Sequence, residues 1–308
     1  MNRDDTLIFG SRGSKLALAQ TRLVMTELET LFPGLKCELK IIKTLGDRIL
    51  DQPLAKIEGK GLFVKEIEKA LLNGEIDIAV HSLKDLPTEQ PEELMIAAIP
   101  RRADVRDVLY SPHHVALQDL PPGARVGTSS LRRSAQLKRL RPDLQICDIR
   151  GNVDTRMRKV DSGEYAATLL AAAGLVRLDM LNSRMVFLPL SDMLPAPGQG
   201  ALALEVHREN KRALRYARVL NHEPTASAVL AERKVLSALG GGCAIPLATY
   251  AEVVGGNVHL KARVIHPDGA PVLFAEGYAP SDQVEMLGQH TADDLMAQGA
   301  LDIIQIAS

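Results

Sequence analysis

Residues 125–161 read RVGTSSLRRSAQLKRLRPDLQICDIRGNVDTRMRKVD, and within this stretch the same pattern, an apolar run followed by a helix pattern, occurs twice. Each round begins with a short apolar run, over residues 125–128 and again over 144–149, which predicts a buried strand. Apolar residues at three-to-four spacing follow each run and predict helices over 130–140 and 153–161. Strands that alternate with helices favour a parallel sheet with helices on both of its faces.

The same alternation precedes this stretch. Residues 6–9 and 35–41 predict strands, and the helix pattern between them has Ser14 at its N-cap position and Phe32 at its end. Residues 76–80 form a further apolar run that predicts a buried strand. We therefore expect an α/β protein with two similar doubly wound lobes, in which ligands bind outside the carboxyl ends of the strands.

The pattern changes after Thr225. A predicted helix ends at the glycines 240–242, and the longer strands that follow are joined by Gly-Gly-Asn and Pro-Asp-Gly turns, which are typical of antiparallel pairing. A closing helix over 292–304 would complete a small α+β domain, and the Pro- and Gly-rich segment 194–200 is a predicted hinge. The predicted domains are a first lobe of residues 1–99 with 200–220, a second lobe of residues 105–194, and a C-terminal domain of residues 222–308.

Composition argues against several classes of protein. A net charge of -1 and 3% aromatic residues, with no Trp, disfavour nucleic-acid binding. The N-terminus lacks the apolar stretch of a secretory signal, and no run of about eighteen apolar residues predicts a membrane span. The three cysteines cannot all pair and lack metal-ligand spacing. We therefore expect a soluble cytoplasmic protein that binds no metal, membrane or nucleic acid.

Positive charge is concentrated in the second lobe, where residues 125–159 hold ten basic residues and three acidic ones. Several of these arginines stand where a strand ends and a helix begins. A helix N-terminus offers free N–H groups, and arginine adds a bidentate fork, so these positions suit carboxylate ligands. The arginines at such positions, including one in the first lobe, are Arg12, Arg132, Arg133, Arg150 and Arg156.

Other basic residues fit a structural role better. Residues deeper in the helices or at their far ends are interpreted as solvated faces with local ion pairs, and Arg177 is a weaker ligand candidate on its position alone. The residues interpreted as helix-face residues are Lys138, Arg139, Arg141 and Lys159.

Asp85 and Cys243 are the two candidates for chemistry. Asp85 follows a buried strand and precedes Leu86-Pro87, so it could simply form a turn. Alternatively, because it stands among cations that would bind an anion, its carboxylate would stabilise a positive charge that develops during the reaction. Cys37 and Cys147 lie in apolar strands and are predicted core residues. Cys243 instead follows three glycines, and a helix end with an incidental thiol remains an alternative for it.

Six segments of the chain resemble the porphobilinogen deaminase family. They are VHSLKDLP at 80–87, GTSSLRR at 127–133, RGNV at 150–153, GGC at 241–243, KTLGD at 43–47 and GKGLF at 59–63. The resemblance implies three domains, of which the first two are similar to type II periplasmic binding proteins. It also implies that Cys243 holds a dipyrromethane cofactor through a thioether.

The resemblance further implies a reaction. Four porphobilinogen molecules would be joined head to tail with loss of ammonia and released as hydroxymethylbilane by a monomeric enzyme, and Asp85 would stabilise the azafulvenium cation that ammonia leaves behind. The cofactor-binding residues implied are Cys243, Lys84, Asp85, Ser14, Thr128, Ser130, Arg132, Arg133 and Arg150. The substrate-binding residues implied are Arg12, Arg150, Arg156, Arg177, Ser82, Gln20, Phe63, Lys56 and Lys60, with Lys56 and Lys60 on a loop over the cleft.

A two-lobed module that binds an anion or a dicarboxylate is the main alternative. Two lobes and a set of arginines at strand ends would suit such a ligand. This alternative gives no role to Cys243 or to the C-terminal domain.

Overall fold

The computed structural model describes residues 6–48, 64–113, 115–241 and 245–307. No helix within these ranges is long and apolar enough to cross a membrane. The strands are β1 (Thr6–Ser11), β2 (Lys36–Ile41), β3 (Ile78–Ser82), β4 (Leu94–Ala98), β5 (Asp107–Tyr110), β6 (Arg125–Gly127), β7 (Gln145–Cys147), β8 (Ala167–Ala171), β9 (Met185–Phe187), β10 (Leu202–His207), β11 (Leu247–Val254), β12 (Asn257–Ile265) and β13 (Val272–Pro280). The helices are α1 (Lys15–Leu31), α2 (Leu45–Arg48), α3 (Lys65–Leu72), α4 (Leu131–Leu140), α5 (Val153–Asp161), α6 (Ala172–Arg177), α7 (Lys211–Arg218), α8 (Glu223–Ala238), α9 (Val284–Ala297) and α10 (Ala300–Ala307).

The chain divides into two compact units. One unit contains Met1–Arg102 and Ala201–Ala226, and the other contains Ala103–Gly200 and Ser227–Ser308. The C-terminal antiparallel sheet belongs to the second unit in this division. The expectation of three domains therefore stays a prediction.

The first unit is built on a five-stranded sheet of order β2-β1-β3-β10-β4. Strands β2, β1 and β3 run parallel, and β10 lies antiparallel between β3 and β4. Apolar side chains of β1 and α1, among them Phe9 and Leu28, are completely buried in its core. The predicted N-cap is confirmed, because the Ser14 side chain accepts a hydrogen bond from the backbone N–H of Ala17 at 3.3 Å.

The second unit contains a sheet of the same design, with the order β7-β6-β8-β5-β9. Its parallel strands β7, β6 and β8 are followed by β5, which is antiparallel to both β8 and β9. Two side chains cap the helices that follow β6 and β7. Ser130 accepts from the N–H of Arg133 at 3.4 Å, and Asn152 accepts from the N–H of Thr155 at 3.0 Å.

The second unit also holds the antiparallel sheet β11-β12-β13. The turn chemistry of the sequence correctly predicts this direction, since Gly255 and Gly256 at the first turn both have positive φ. Buried side chains of β12, including Val258 and Leu260, pack against Ala292 and Leu295 of α9. This packing gives the C-terminal sheet one covered face.

Two details of the expected fold are wrong. The two larger sheets are mixed rather than wholly parallel, because a fully buried apolar run such as β10 carries no signal for its direction. The single closing helix over 292–304 is instead two helices, α9 and α10. Gly299 lies between them with φ +95°, a left-handed conformation that ends a helix.

Candidate active site

The strand ends of the first unit bring several predicted residues to one edge of its sheet. Because β1 and β3 are parallel neighbours, Arg12 follows β1 at the same edge at which Ser82 ends β3. The chain then forms a 3-10 turn over Leu83–Asp85, and Pro87 prevents the turn from continuing as a helix. Asp85 is thereby held at the carboxyl ends of the parallel strands, where α/β proteins bind ligands.

A pocket lies at this edge, and five residues predicted for the site line it. The described structure around the pocket leaves Asp85 exposed and gives its carboxylate no side-chain hydrogen bond, so that carboxylate is accessible to a ligand. Lys84, the neighbour of Asp85, is half-buried. The predicted residues that line the pocket are Arg12, Ser14, Gln20, Ser82 and Asp85, and they share it with Leu16, Ala17, Val64, Ile67, Val80 and His81.

Gln20 and Ser82 fix one another within the pocket. The Gln20 amide Nε2 donates to the Ser82 hydroxyl at 2.9 Å, and that hydroxyl donates to Gln20 Oε1 at 3.1 Å. Gln20 is 3% exposed, so its amide has little freedom to turn. The pair presents a hydroxyl group of defined orientation in the pocket wall.

A buried ion cluster forms the centre of the second unit. Arg132 Nη1 donates to Asp107 Oδ2 at 2.7 Å, and Arg133 Nη2 donates to Asp107 Oδ1 at 2.6 Å. Burial opposes ionisation of this carboxyl, but the two guanidinium groups outweigh it and hold the pKa of Asp107 well below its usual range. Two cations therefore share one anion, which leaves one positive charge in excess in this cluster.

The two arginines of this cluster differ in whether a side-chain nitrogen remains available to a ligand. All three side-chain nitrogens of Arg133 bond to the protein, on Asp107 and on the carbonyl of Leu169. The buried Nε of Arg132 has no hydrogen-bond partner within the described residues. Binding of ligand carboxylates by the pair stays a prediction, and the structure gives both arginines a structural contact that the sequence did not indicate.

The strand ends of the second unit place polar groups next to one another. Ser129 Oγ lies between the ends of β6 and β7, donating to the carbonyl of Ile149 at 3.0 Å and accepting from its N–H at 3.2 Å. This link sets Thr128, which follows β6, near Arg150, which follows Ile149. Arg150 is half-buried, and its side chain makes no hydrogen bond or ion pair to the described part of the chain.

The turn after Arg150 depends on a glycine. Gly151 has φ +111°, and a Cβ atom on it would lie 2.5 Å from Thr155 Cγ2 at the start of α5. Arg156 donates from Nε to the carbonyl of Gly151 at 2.9 Å. The turn thus determines the position of both Arg150 and Arg156.

Arg177 ends α6 with a guanidinium that is largely removed from water. Its Nη2 donates to the carbonyl of Gly200 at 2.7 Å, and no acidic side chain among the described residues forms a salt bridge with it. Burial lowers the pKa of Arg177 to about 10, which still leaves it charged at neutral pH. A buried cation of this kind gains from an anionic ligand.

The sequence missed two residues of the second unit and judged Lys159 correctly. Asp107 opens the short buried strand β5, and Gln199 donates from Nε2 to Asp107 Oδ1 at 3.0 Å. An acid that begins an apolar run was the available signal for Asp107. The helix-face interpretation with a local ion pair is confirmed for Lys159, which pairs with Glu164. Lys138 instead pairs with the distant Asp268. Arg141 has a local pair with Asp143, but its guanidinium also donates to three backbone carbonyls of residues 117–120 and is not a solvated face.

Four predicted residues lie outside the described residues: Cys243, Lys56, Lys60 and Phe63. The two other cysteines are free thiols. Each packs against a hydrophobic cluster but is half-buried, not a fully buried core residue as predicted. Within the described ranges, no group of His, Cys, Asp and Glu side chains could hold a metal ion.

Two domain families match the chain, and they cover most of its length. Residues 7–215 match the porphobilinogen deaminase dipyrromethane cofactor binding domain, and residues 226–297 match the porphobilinogen deaminase C-terminal domain. The porphobilinogen deaminase of Geobacillus kaustophilus is 50% identical over 303 residues, which are 97% of this chain and 96% of that protein. The porphobilinogen deaminase of Syntrophomonas wolfei is 47% identical over 298 residues, 97% of each chain.

The chain belongs to the porphobilinogen deaminase family. The protein is accordingly a transferase of tetrapyrrole biosynthesis that condenses porphobilinogen head to tail with loss of ammonia, and its cofactor is dipyrromethane. Membership of this family favours the enzyme over a module that only binds an anion.

Solved structures outside the family are similar only at a distance. An ancestral cationic amino acid solute-binding protein has a TM-score of 0.43 and 15% identity, with 70% of this chain and 88% of that chain covered. The effector-binding domain of BenM with benzoate has a TM-score of 0.42 and 14% identity, with 70% and 90% covered. Neither likeness bears on the function of this chain.

Proposed function

We propose that the protein is a hydroxymethylbilane synthase in which Asp85 is the catalytic carboxylate. The observation that supports this role is the pocket of the first unit, where an accessible carboxylate shares one wall with Arg12 and with the polar pair of Gln20 and Ser82. Loss of ammonia from porphobilinogen leaves a positive charge spread over the pyrrole ring. A fixed carboxylate at that position stabilises the cation and accepts hydrogen bonds from pyrrole N–H groups.

The arginines bind the substrate side chains in this proposal. Each porphobilinogen carries an acetate and a propionate, so every condensation adds two carboxylates to the bound chain. Arg150, which has no partner in the described structure, and Arg177, whose guanidinium is buried without an acid, can each accept a carboxylate without breaking an ion pair. Arg12 and Arg156 complete the proposed substrate-binding set.

The donor groups of the second unit fit the dipyrromethane carboxylates. The cluster around Asp107 carries an excess positive charge, and the Nε of Arg132 is a buried donor that lacks a partner among the described residues. We propose Thr128, Ser130 and Arg150 as further cofactor-binding residues of the second unit, and Ser14, Lys84 and Asp85 as cofactor-binding residues of the first. When bound, dipyrromethane supplies the primer pyrrole onto which the product is built.

The remaining predictions for the site concern residues outside the described ranges. We propose that Cys243 holds dipyrromethane through a thioether, that Lys56 and Lys60 contact substrate from one loop, and that Phe63 lies beneath them. The three-domain division proposed from the sequence places Cys243 in the C-terminal domain. The family model of the C-terminal domain, which spans residues 226–297, includes Cys243 and is consistent with this proposal.

We further propose that the enzyme acts as a monomer in the cytoplasm. Cys37 and Cys147 are free thiols, as a reducing compartment requires.

Burial, and after it the charge of Glu29, raises the pKa of Cys37 to about 12 and keeps that thiol protonated. Cys37 is therefore a poor candidate for the proposed thioether.

Intact-protein mass spectrometry tests the proposal directly. The purified protein should exceed its sequence mass by one dipyrromethane, and Cys243→Ser should remove that excess together with activity. Cys147→Ser is the matched control, since it removes a different half-buried thiol and should keep the excess. A fully active protein of unmodified mass would overturn the proposal, as would a protein that consumes porphobilinogen without forming hydroxymethylbilane.

A further inference from the structure

His81 and Glu205 form a buried pair directly behind the pocket of Asp85. His81 belongs to β3 and Glu205 to β10, and because Ala203 pairs with His81 the two side chains are diagonal neighbours on one face of the sheet. His81 Nε2 lies 3.1 Å from Glu205 Oε2. Neither the proposed substrate contacts nor the cation-stabilising role of Asp85 uses this pair.

The carboxyl group of Glu205 lies where a negative charge is costly unless a hydrogen-bond donor or a positive charge offsets it. It is 0% exposed, and its Oε1 has no hydrogen-bond partner within the described structure. The charged groups that face it from α3 are Glu68 and, beyond it, Lys65. Burial, and after it the Glu205 carboxylate, raises the pKa of Glu68. A carboxylate so placed depends on the His81 ring for its hydrogen bond.

His81 also belongs to the site. His81 lines the same pocket as Asp85, and its Nδ1 makes no hydrogen bond to any described residue. If Glu205 accepts the Nε2 proton, the neutral ring has its lone pair on Nδ1. A carboxylate that fixes the tautomer of an imidazole in this manner is the arrangement that makes histidine a general base.

The proposed reaction needs such a base. The C–N bond of the protonated aminomethyl group of porphobilinogen breaks, its electron pair leaves on nitrogen as ammonia, and the acceptor pyrrole forms the new C–C bond through its free α-carbon. That carbon must then lose its proton so that the bonding pair returns to the ring. This proton finally converts ammonia to ammonium, so a base must hold the proton between its loss from the pyrrole carbon and its transfer to ammonia.

We propose that His81, oriented by Glu205, is a second acid–base group of the pocket, and that its Nδ1 accepts the proton that the acceptor pyrrole loses. The inference rests on the proposed function of the site. Asp85 stabilises the cation, while the imidazolium formed on His81 is stabilised by Glu205. Separate groups then handle the charge and the proton.

His81→Gln is the first test, because glutamine can still donate to Glu205 but cannot accept a proton. The kcat per cofactor-loaded molecule should fall by about 10²–10⁴-fold while KM changes little. Intact mass measures the cofactor content, and thermal melting checks the fold. A kcat within about threefold of wild type, once corrected for cofactor content, would overturn the proposal, since a purely structural role changes only the amount of loaded protein.

Nitrogen NMR of the His81 ring in the wild-type holoenzyme is the second test, and it needs no folded variant. The ring should carry its proton on Nε2. A resting ring that carries a proton on Nδ1, with or without one on Nε2, contradicts the proposal. Glu205→Gln should populate both tautomers and lower kcat by at least about tenfold, because an amide can either donate to or accept from Nε2.

The chain offers a matched control in a second His–Glu contact. His259 Nε2 contacts Glu276 on the C-terminal sheet of the second unit, and neither residue lines the pocket. His259→Gln should leave kcat unchanged. Failure of the inference is distinguishable from failure of the proposed function: a wild-type protein that forms hydroxymethylbilane while His81→Gln keeps full kcat refutes only the role of His81.

Discussion

Arg132 Nη1 lies 2.7 Å from Asp107 Oδ2, and both side chains are almost completely buried in the second unit. Arg133 holds the other oxygen of the same carboxylate. Together they tie the first turn of α4 to the beginning of β5. The helix that follows the Thr128–Ser130 segment is therefore fixed by charge as well as by its N-cap.

Asp107→Asn should destabilise the fold by about 3–5 kcal/mol at neutral pH, because it leaves two buried guanidinium groups without an anion. The pKa of Asp107 is held below its unfolded value of about 3.9, so its contribution is complete above that pH and is lost as pH falls through the folded value. Chemical denaturation should show a constant difference from wild type above about pH 5 and a shrinking one below about pH 4. Asp143→Asn, in the surface pair with Arg141, is the control and should cost at most about 1 kcal/mol. Equal losses in both variants would contradict a special role for Asp107.

Asp85→Ala should abolish most turnover without harming the fold. Asp85 is exposed, so the melting temperature should change by less than the equivalent of about 0.5 kcal/mol. Removing a group that stabilises a developing charge should lower kcat by about 10²–10⁴-fold. Steady-state assays on cofactor-loaded protein measure this effect, and Glu89→Ala, another exposed acid after the same strand, should leave kcat unchanged. Near-normal turnover in Asp85→Ala would remove Asp85 from its proposed role.

Arg150→Leu should impair cofactor assembly or chain elongation. The side chain makes no bond to the described protein, so its removal should cost little stability while it removes a donor for ligand carboxylates. Mass spectrometry of the purified variant should show protein without dipyrromethane, or protein halted at an early elongation stage. Arg139→Leu is the control on α4 and should give normal product. A normal yield from Arg150→Leu would mark Arg150 as a surface residue.

Gly151→Ala should destabilise the second unit more than Gly163→Ala. Both glycines have positive φ, at +111° and +81°, so alanine is strained at each by about 1–2 kcal/mol. Only at Gly151 would the added Cβ also collide with Thr155, while nothing lies within 4 Å at Gly163. Denaturant unfolding should therefore rank the two variants, and activity should fall only for Gly151→Ala because its turn positions Arg150 and Arg156. The reverse ranking would contradict the proposed packing.

Local chemistry made much of this fold predictable. Helix α5 has the predicted bounds of Val153–Asp161, and Ser14 is the N-cap that the sequence indicated, because capping depends on residues within one turn. The direction of β5 and β10 was not predictable, since it depends on where a distant segment returns. The pairing of His81 with Glu205 was hidden for the same reason, as 124 residues separate them.

The site residues likewise divide into those that local sequence rules predict and those whose contacts depend on distant segments. Arg12, Ser14, Ser82 and Asp85 lie at one sheet edge because adjacent parallel strands end together, and that rule needs only the strand assignment. The sequence could not indicate that Arg133 would bond to Asp107 with two of its nitrogens. An ion pair between residues on different elements is set by packing, for which a linear pattern of charge contains no signal.

The position of β10 also has a consequence for how the chain is made. Among the described strands, β4 pairs with β10 alone, and β10 pairs with β3 along its opposite edge. Both β3 and β4 therefore have an unpaired edge until Leu202–His207 has left the ribosome. The strands of the second sheet, by contrast, all lie between Asp107 and Phe187. During synthesis we therefore expect the strands of the second sheet to be complete before the first sheet receives β10, which joins β3 to β4.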